Sequence, residues 1–350
     1  MAGPQGLQEA LDAAIDRNGF SGVVSVRLRG EVLYERTAGQ ADRSNGIANT
    51  RETRFAIASG TKFLTALAIG RLVAAGRVAI STRLRDCLEL DFPQQYAPEI
   101  TIGHLLTHTS GIPDYFDEEK FPDSDQFFVS RPWYELRGPK DYLPIFPDEP
   151  MKFAPGTQFS YSNGGYILLG AVIEALSGVR YQRYVEQEVL HPIGMSRSGF
   201  FPFNQLPDRT ALGYIEDPGG WKTNIYNLPI IGASDGGAYT TVDDLATLWD
   251  AFFAHRIVPR DLVEAYATPQ VRAESEGETT WYGYGLWIDR DDEEDPAISI
   301  IGGDAGVTFW SCFRRRLGLQ ITVLCNVSGG AWPVVKELRL ATAGLRGAGG

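Results

Sequence analysis

Strand-like segments stand at both ends of this chain and helical ones fill the middle, an order that constrains the fold more than any other feature. Residues 21–29 (SGVVSVRLR) alternate apolar and polar, break at Gly30 and resume as EVLYERTAG, the pattern of a β-hairpin. Strand character returns near the other end in 281–289, 297–301, 307–315 and 319–326. Between these lie helical patterns. The stretch 59–78 is rich in Ala, Leu and Ile and free of Pro, which predicts a long buried helix. Shorter helices are predicted over 101–111, 164–176 and 181–190, and Thr241 reads as the N-cap of another, ending near 253. A first helix is spaced by Leu7, Leu11 and Ile15, and a last one runs over 333–345. The fold class expected is therefore α+β: one antiparallel sheet built from both chain termini, flanked by helices, with a mostly helical domain inserted. The predicted partition is 1–57 plus 278–350 for the sheet domain and 58–277 for the helical one, with the active site between them. A long loop at 112–158, dense in Pro, Asp and aromatic residues, reads as a pocket wall.

Composition narrows the function. A net charge of −12 sets up a field that repels nucleic acid and anionic membranes, so neither is an expected partner. The first twenty residues show neither a basic segment nor an apolar core of a signal peptide, which predicts a cytoplasmic protein. Three cysteines, Cys87, Cys312 and Cys325, are too few and too scattered for a disulfide framework or a zinc site. Cys312 and Cys325 fall on neighbouring predicted strands, so a pairing is open, against the plainer reading of small buried thiols. The acidic run from Asp289 to Asp295 reads as a solvated hairpin turn.

Only six lysines occur, and one of them, Lys62, stands three residues after Ser59. At helical spacing hydroxyl and amine share one face. Because Ser59 opens the helix, its N–H is unpaired and lies at the positive end of the dipole. The amine there serves to accept the serine's proton, and the N–H to hold an oxyanion. Tyr161, Ser162 and Asn163 mark a second helix entry. A tyrosine needs its pKa lowered from ~10 to about 7 to act as a base, which is ~4 kcal/mol. One ammonium at ~4 Å in an effective dielectric of ~20 supplies about that much. The two motifs are therefore expected to work as a pair.

With those motifs the chain resembles the serine β-lactamases and penicillin-binding proteins, in particular the class C and esterase branch with S-x-x-K and Y-x-N. FAIASGTKFLT (55–65), LLTHTSGI (105–112), PGTQFSYSN (155–163) and GGAYTTVDDLA (236–246) look like the family's successive landmarks, and the likeness covers roughly residues 5 to 345. It implies Ser59 as nucleophile, Lys62 as activator, Tyr161 as base and Asn163 as a substrate-contacting amide, with no metal and no cofactor. The implied partner is a small-molecule ester, amide or lactam. A third family motif departs from the pattern. Where Lys or His is usual, followed by Thr, Ser or Gly and then Gly, this chain has Ile301, Gly302, Gly303 and Asp304. By this alignment Asp304 still supplies a backbone N–H to the oxyanion, while the cation that meets a substrate carboxylate is lost. An esterase or amidase acting on an uncharged acyl group is therefore expected ahead of a β-lactamase or a D-Ala-D-Ala carboxypeptidase. An inactive sensor or scaffold on the same fold is a further alternative.

Two other patterns compete. Gly232, Ala233, Ser234, Asp235 and Gly236 fit G-x-S-x-G, yet the only downstream histidine is His255, too close to complete a triad. His104 and His108 have zincin spacing without the glutamate that would act beside them.

Overall fold

The computed structural model describes residues 4–88, 96–275, 278–290 and 292–342. Its centre is an eight-stranded antiparallel sheet formed by β1 (Gly22–Leu28), β2 (Glu31–Ala38), β3 (Val271–Ser275), β4 (Glu278–Tyr282), β5 (Trp287–Asp289), β6 (Ala297–Asp304), β7 (Val307–Arg314) and β8 (Leu319–Cys325). The strand order is β2-β1-β8-β7-β6-β5-β4-β3, so the N-terminal hairpin docks against the last strand of the chain. That is the α+β sheet from both termini that the strand pattern predicts. The segment 281–289, expected as one strand, is two, β4 and β5, turned through Gly283 and Gly285 (φ 77°). An eighth strand, β3, lies upstream of residue 278, where the sheet portion was expected to begin.

Strand alternation sorts the side chains onto two faces. Val24, Val26, Trp310, Ile321 and Val323 pack against helices α1 (Pro4–Arg17) and α6 (Trp332–Thr342) through Leu11, Ile15, Val334 and Leu338. The last residues of the predicted C-terminal helix, 343–345, lie outside the described residues. Val23, Ile298, Ile300, Phe309, Phe313 and Leu324 face the other way, onto α2 (Thr61–Ala74), α3 (Ile102–Leu106), α4 (Asn163–Ser177) and α5 (Val242–Phe253). This second cluster is continuous from sheet to helices, so the two expected parts share a core. Helix α2 is apolar on nearly every side and is accordingly buried from Thr61 to Gly70. Phe63 packs edge-on against Phe252, and Trp249 Nε1 donates to Ser311 Oγ at 2.9 Å, fastening α5 to β7.

Several sequence expectations resolve here. Cys312 pairs with Ile321 and Cys325 with Thr308 across β7 and β8, four rungs apart, and both thiols are free. Much of the acidic run is tied down: Asp292 pairs with Arg314, and the buried Asp295 accepts the Arg316 and Leu317 N–H groups. No helix among the described residues is long and apolar enough to cross a membrane.

The approach of β6 to the start of α2 decides where chemistry can occur. The strand before α2, Phe55–Ala56, pairs with Tyr239–Thr240, and a tight turn over Ala58–Gly60 leads into the helix. Gly302 crosses this turn so closely that a Cβ on it would lie 2.1 Å from Ile57 O and 3.0 Å from Gly60 N. Gly303, one residue on, has nothing within 4 Å of an added Cβ. Gly302→Ala is therefore expected to destabilise the protein by about 1–3 kcal/mol through overpacking against backbone. Gly303→Ala is expected to leave the melting temperature nearly unchanged, and thermal melts of the two variants check this contrast.

Candidate active site

Ser59 sits in the turn that opens α2, and Lys62 follows one helical turn later, as the spacing predicts. Lys62 is 1% exposed, and its Nζ touches three oxygens: Ser59 Oγ at 2.8 Å, Asn163 Oδ1 at 2.7 Å and the Asp235 carbonyl at 2.8 Å. The Asn163 and Asp235 oxygens only accept, so they claim two N–H groups. A neutral amine has two, and its lone pair then faces the Ser59 hydroxyl. Burial favours that state, pulling the Lys62 pKa down although Asp235, Glu118, Asp114 and Asp304 draw it up.

Tyr161 lies beside this pair. Its ring stands 4.9 Å from Lys62 Nζ and stacks on Trp287, and its hydroxyl is hydrogen bonded to Ser59. The pairing argument from sequence anticipated a phenolate, and here the structure differs. Burial, and after it the charge of Glu118, hold the Tyr161 pKa well above its ordinary value despite the Ser59 hydrogen bond. The sequence estimate counted one ammonium near the oxygen. It omitted the cost of burying a phenolate and the carboxylates around it, and Lys62 faces the ring rather than bonding the hydroxyl.

Asn163 is the first residue of α4, whose N-cap Ser162 accepts the Gly165 N–H. Its amide is engaged at both ends: Oδ1 accepts from Lys62, and Nδ2 donates to Phe116 O and Glu118 Oε1, both at 3.0 Å. The amide expected to contact substrate is bonded to the lysine, and Asn163 also lines the aromatic cavity beside Ser59. Asp114, not singled out from the sequence, sits on the N-terminus of α4 and accepts the N–H groups of Asn163 (2.5 Å), Gly164 (2.9 Å) and Phe116 (3.1 Å). A carboxylate there complements the helix dipole. Burial nonetheless raises its pKa to about 7.

The competing patterns fare differently. Ser234 has a buried, unpartnered Oγ packed against Gly170 of α4, and a short strand follows it rather than a helix. Its neighbour Asp235 is the part of that loop that touches Lys62, accepting with its carbonyl while its carboxylate accepts from Tyr115. The histidines do not share a face. His104 Nδ1 accepts the Thr101 N–H in the cap of α3, and His108, beyond the helix at φ 58°, accepts the Ser162 N–H at 3.0 Å.

Two cavities meet at Ser59. One is walled by aromatic residues that include Tyr115, Phe127, Trp133 and Tyr142 of the 112–158 segment, the role expected of that loop. Asp235, Gly303 and Asp304 also line it. The other is open and polar, lined by Glu118, Gln158, Tyr161, Arg272, Ile301, Gly302 and Gly303. Beyond Ser299, where pairing with β5 stops, this edge of β6 runs free past Ser59. Ile301 reaches the mouth of the open cavity, yet it packs against the α1 and α6 side of the sheet, opposite Ile300.

Residues 7–345 match the family described as Beta-lactamase. The chain belongs to that family. It is 30% identical over 374 aligned residues to Esterase EstB of Burkholderia gladioli, covering 95% of this chain and 93% of that protein. To Penicillin-binding protein 4* of Bacillus subtilis (strain 168) it is 27% identical, covering 86% of this chain and 66% of the relative. The crystal structure of a penicillin binding protein from Bacillus halodurans superposes with a TM-score of 0.85 at 42% identity, covering 94% of this chain and 98% of that one.

In this member of the β-lactamase family the surroundings of Asp304 disfavour its charge. Burial raises its pKa to about 7, and its one hydrogen bond among the described residues comes from the Ala305 N–H. A carboxylate whose folded pKa lies above its unfolded value opposes folding. The penalty is complete above the folded pKa of about 7 and disappears as pH falls past the ordinary carboxylate range. Asp304→Asn is therefore expected to raise the melting temperature at about pH 8, with the gain shrinking through pH ~7 and absent near pH ~4. Melts of both proteins across this range measure it.

Proposed function

We propose that the protein is a serine hydrolase that forms an acyl-enzyme on Ser59, working as an esterase or amidase. The observation that carries this reading is the Lys62 amine, desolvated and aimed at Ser59 Oγ by two acceptor-only oxygens. Lys62 takes the Ser59 proton as the hydroxyl attacks an acyl carbon. Tyr161, a neutral phenol bonded to the same hydroxyl, relays a proton to the leaving group. The developing oxyanion is held by the N–H of Ser59 at the helix entry and by a second N–H from the free edge of β6. Gly303 is the better second donor than Asp304, because it lines both cavities together with Ser59.

The acyl group carries no carboxylate. Asp114, Glu118, Asp235 and Asp304 all lie within electrostatic reach of Lys62, four carboxylates around one amine, and an added anion would meet their repulsion. The kinship with Esterase EstB along most of both chains supports ester cleavage. The 42% identity to a penicillin binding protein favours, as a second reading, action on penicillin-like lactams. A fluorophosphonate is expected to add once, on the peptide holding Ser59. Labelling at Ser234, or labelling unchanged in Ser59→Ala, overturns the assignment. Absence of any adduct favours an inactive scaffold. Small neutral p-nitrophenyl esters are expected to turn over well and a chromogenic cephalosporin poorly; efficient cephalosporin turnover selects the second reading.

Lys62 and Tyr161 handle one proton between them, so their losses should not multiply. Lys62→Ala and Tyr161→Phe are each expected to lower kcat by about 10²–10⁴-fold. The double variant should be only slightly worse than the poorer single one. Steady-state kinetics of the three variants decide this, and a double loss equal to the product of the two contradicts the relay.

A further inference from the structure

The aromatic cavity beside Ser59 combines apolar walls with two carboxylates that lack a cationic hydrogen-bond partner. Asp235 is 7% exposed and accepts from the Tyr115 hydroxyl, a neutral donor. Asp304 accepts from the Ala305 N–H at 2.8 Å. The two carboxylates lie within electrostatic reach of each other and of Lys62. Lys62 offers neither of them a proton, since its three contacts go to Ser59 Oγ, Asn163 Oδ1 and the Asp235 carbonyl. Yet both residues line the cavity that opens onto the nucleophile, among rings from Tyr115, Trp133 and Tyr142. Carboxylates set among aromatic faces match an organic ammonium, which gives its protons to the carboxylates and its charge to the rings.

We propose that this cavity takes the acyl part of substrates that carry a protonated amine, held by Asp304 and Asp235. The inference rests on the reading of the protein as a hydrolase acting at Ser59 and names its substrate class. The open cavity on the far side of Ser59, bounded by Glu118, Gln158 and Arg272, is then left to the alcohol or amine that departs. Recognition of an ammonium also supplies a reason for placing these carboxylates in the wall of an apolar pocket, since a bound cation offsets their cost.

The test uses two nearly isosteric p-nitrophenyl esters, of 4-(aminomethyl)benzoic acid and of 4-ethylbenzoic acid, with the intact protein. The ratio of their kcat/KM values is read within each variant, so that any loss common to both substrates cancels. The wild type is expected to favour the aminomethyl ester by about 10-fold or more, the lower end of what a hydrogen bond between charged groups contributes. Asp304→Asn and Asp235→Asn should each bring the ratio towards unity. A second measurement does not depend on turnover: calorimetric binding of benzylammonium against benzyl alcohol. Tighter binding of the ammonium, lost in Asp304→Asn, upholds the cation site even where neither ester is cleaved, in which case the hydrolase reading alone falls. Equal binding of the two probes, or an ester ratio near one in the wild type, overturns the proposal while leaving Ser59 chemistry intact.

Discussion

One nitrogen ties the site together. Lys62 Nζ bonds a serine in its own helix, an asparagine at the head of α4 and a carbonyl in the 232–236 loop, three segments separated by more than a hundred residues of chain at the widest. An amine that deep costs free energy unless every proton it carries finds an acceptor. The three oxygens therefore fix its position as firmly as its state of charge. Each is fixed in turn by the fold: Asn163 by Asp114 on the helix terminus and by Phe116 and Glu118 on its amide, the Asp235 carbonyl by the loop, and Ser59 by the turn beneath Gly302. The activation proposed for Ser59 rests on this restraint, because in the neutral amine two protons would be committed elsewhere and only the lone pair left for the hydroxyl.

The sheet contributes an edge rather than side chains. Strand β5 stops pairing at Ser299, so the last residues of β6 present backbone to the cleft, and glycine at 302 lets that backbone reach the nucleophile turn. Strand alternation turns Ile301 away from the helical core, although it also lines the open cavity. Its neighbour Ile300 belongs to the helical core, and Ile301 itself packs on the opposite face. The position of lost positive charge and the position of gained negative charge, Asp304, differ in the face they serve.

Stability and function pull against each other around Ser59. Asp114 and Asp304 both have pKa values raised by burial to about 7, and burial pulls the His108 pKa well below its ordinary value. Asp114 is offset by three backbone N–H groups. Asp304 accepts one, from Ala305. A carboxylate with so few partners in the wall of the cavity beside Ser59 points to what enters the cavity rather than to what holds it up.

The sequence by itself determined the sheet from both termini, the helix opened by Ser59, the helix entry at 161–163 and the cap at Thr241, because strand alternation, helical spacing and capping are local and periodic signals. The nearness of Ser59, Lys62 and Tyr161 was legible from a three-residue spacing and from a family likeness. Asp114, Glu118 and Asp235 were not, since each acts through contacts made across dozens of residues and none sits in a recognisable spacing. Asp235 was hidden inside a pattern that pointed to Ser234. Charge states were also beyond the sequence. Adding one ammonium to one tyrosine suggested a phenolate, and only the packed structure supplied the burial and the surrounding carboxylates that hold the Tyr161 pKa up, and the burial that draws the Lys62 pKa down against those same carboxylates. Local order is written in neighbouring residues, whereas desolvation and the sum of charges depend on everything the fold brings within a few ångströms of a group.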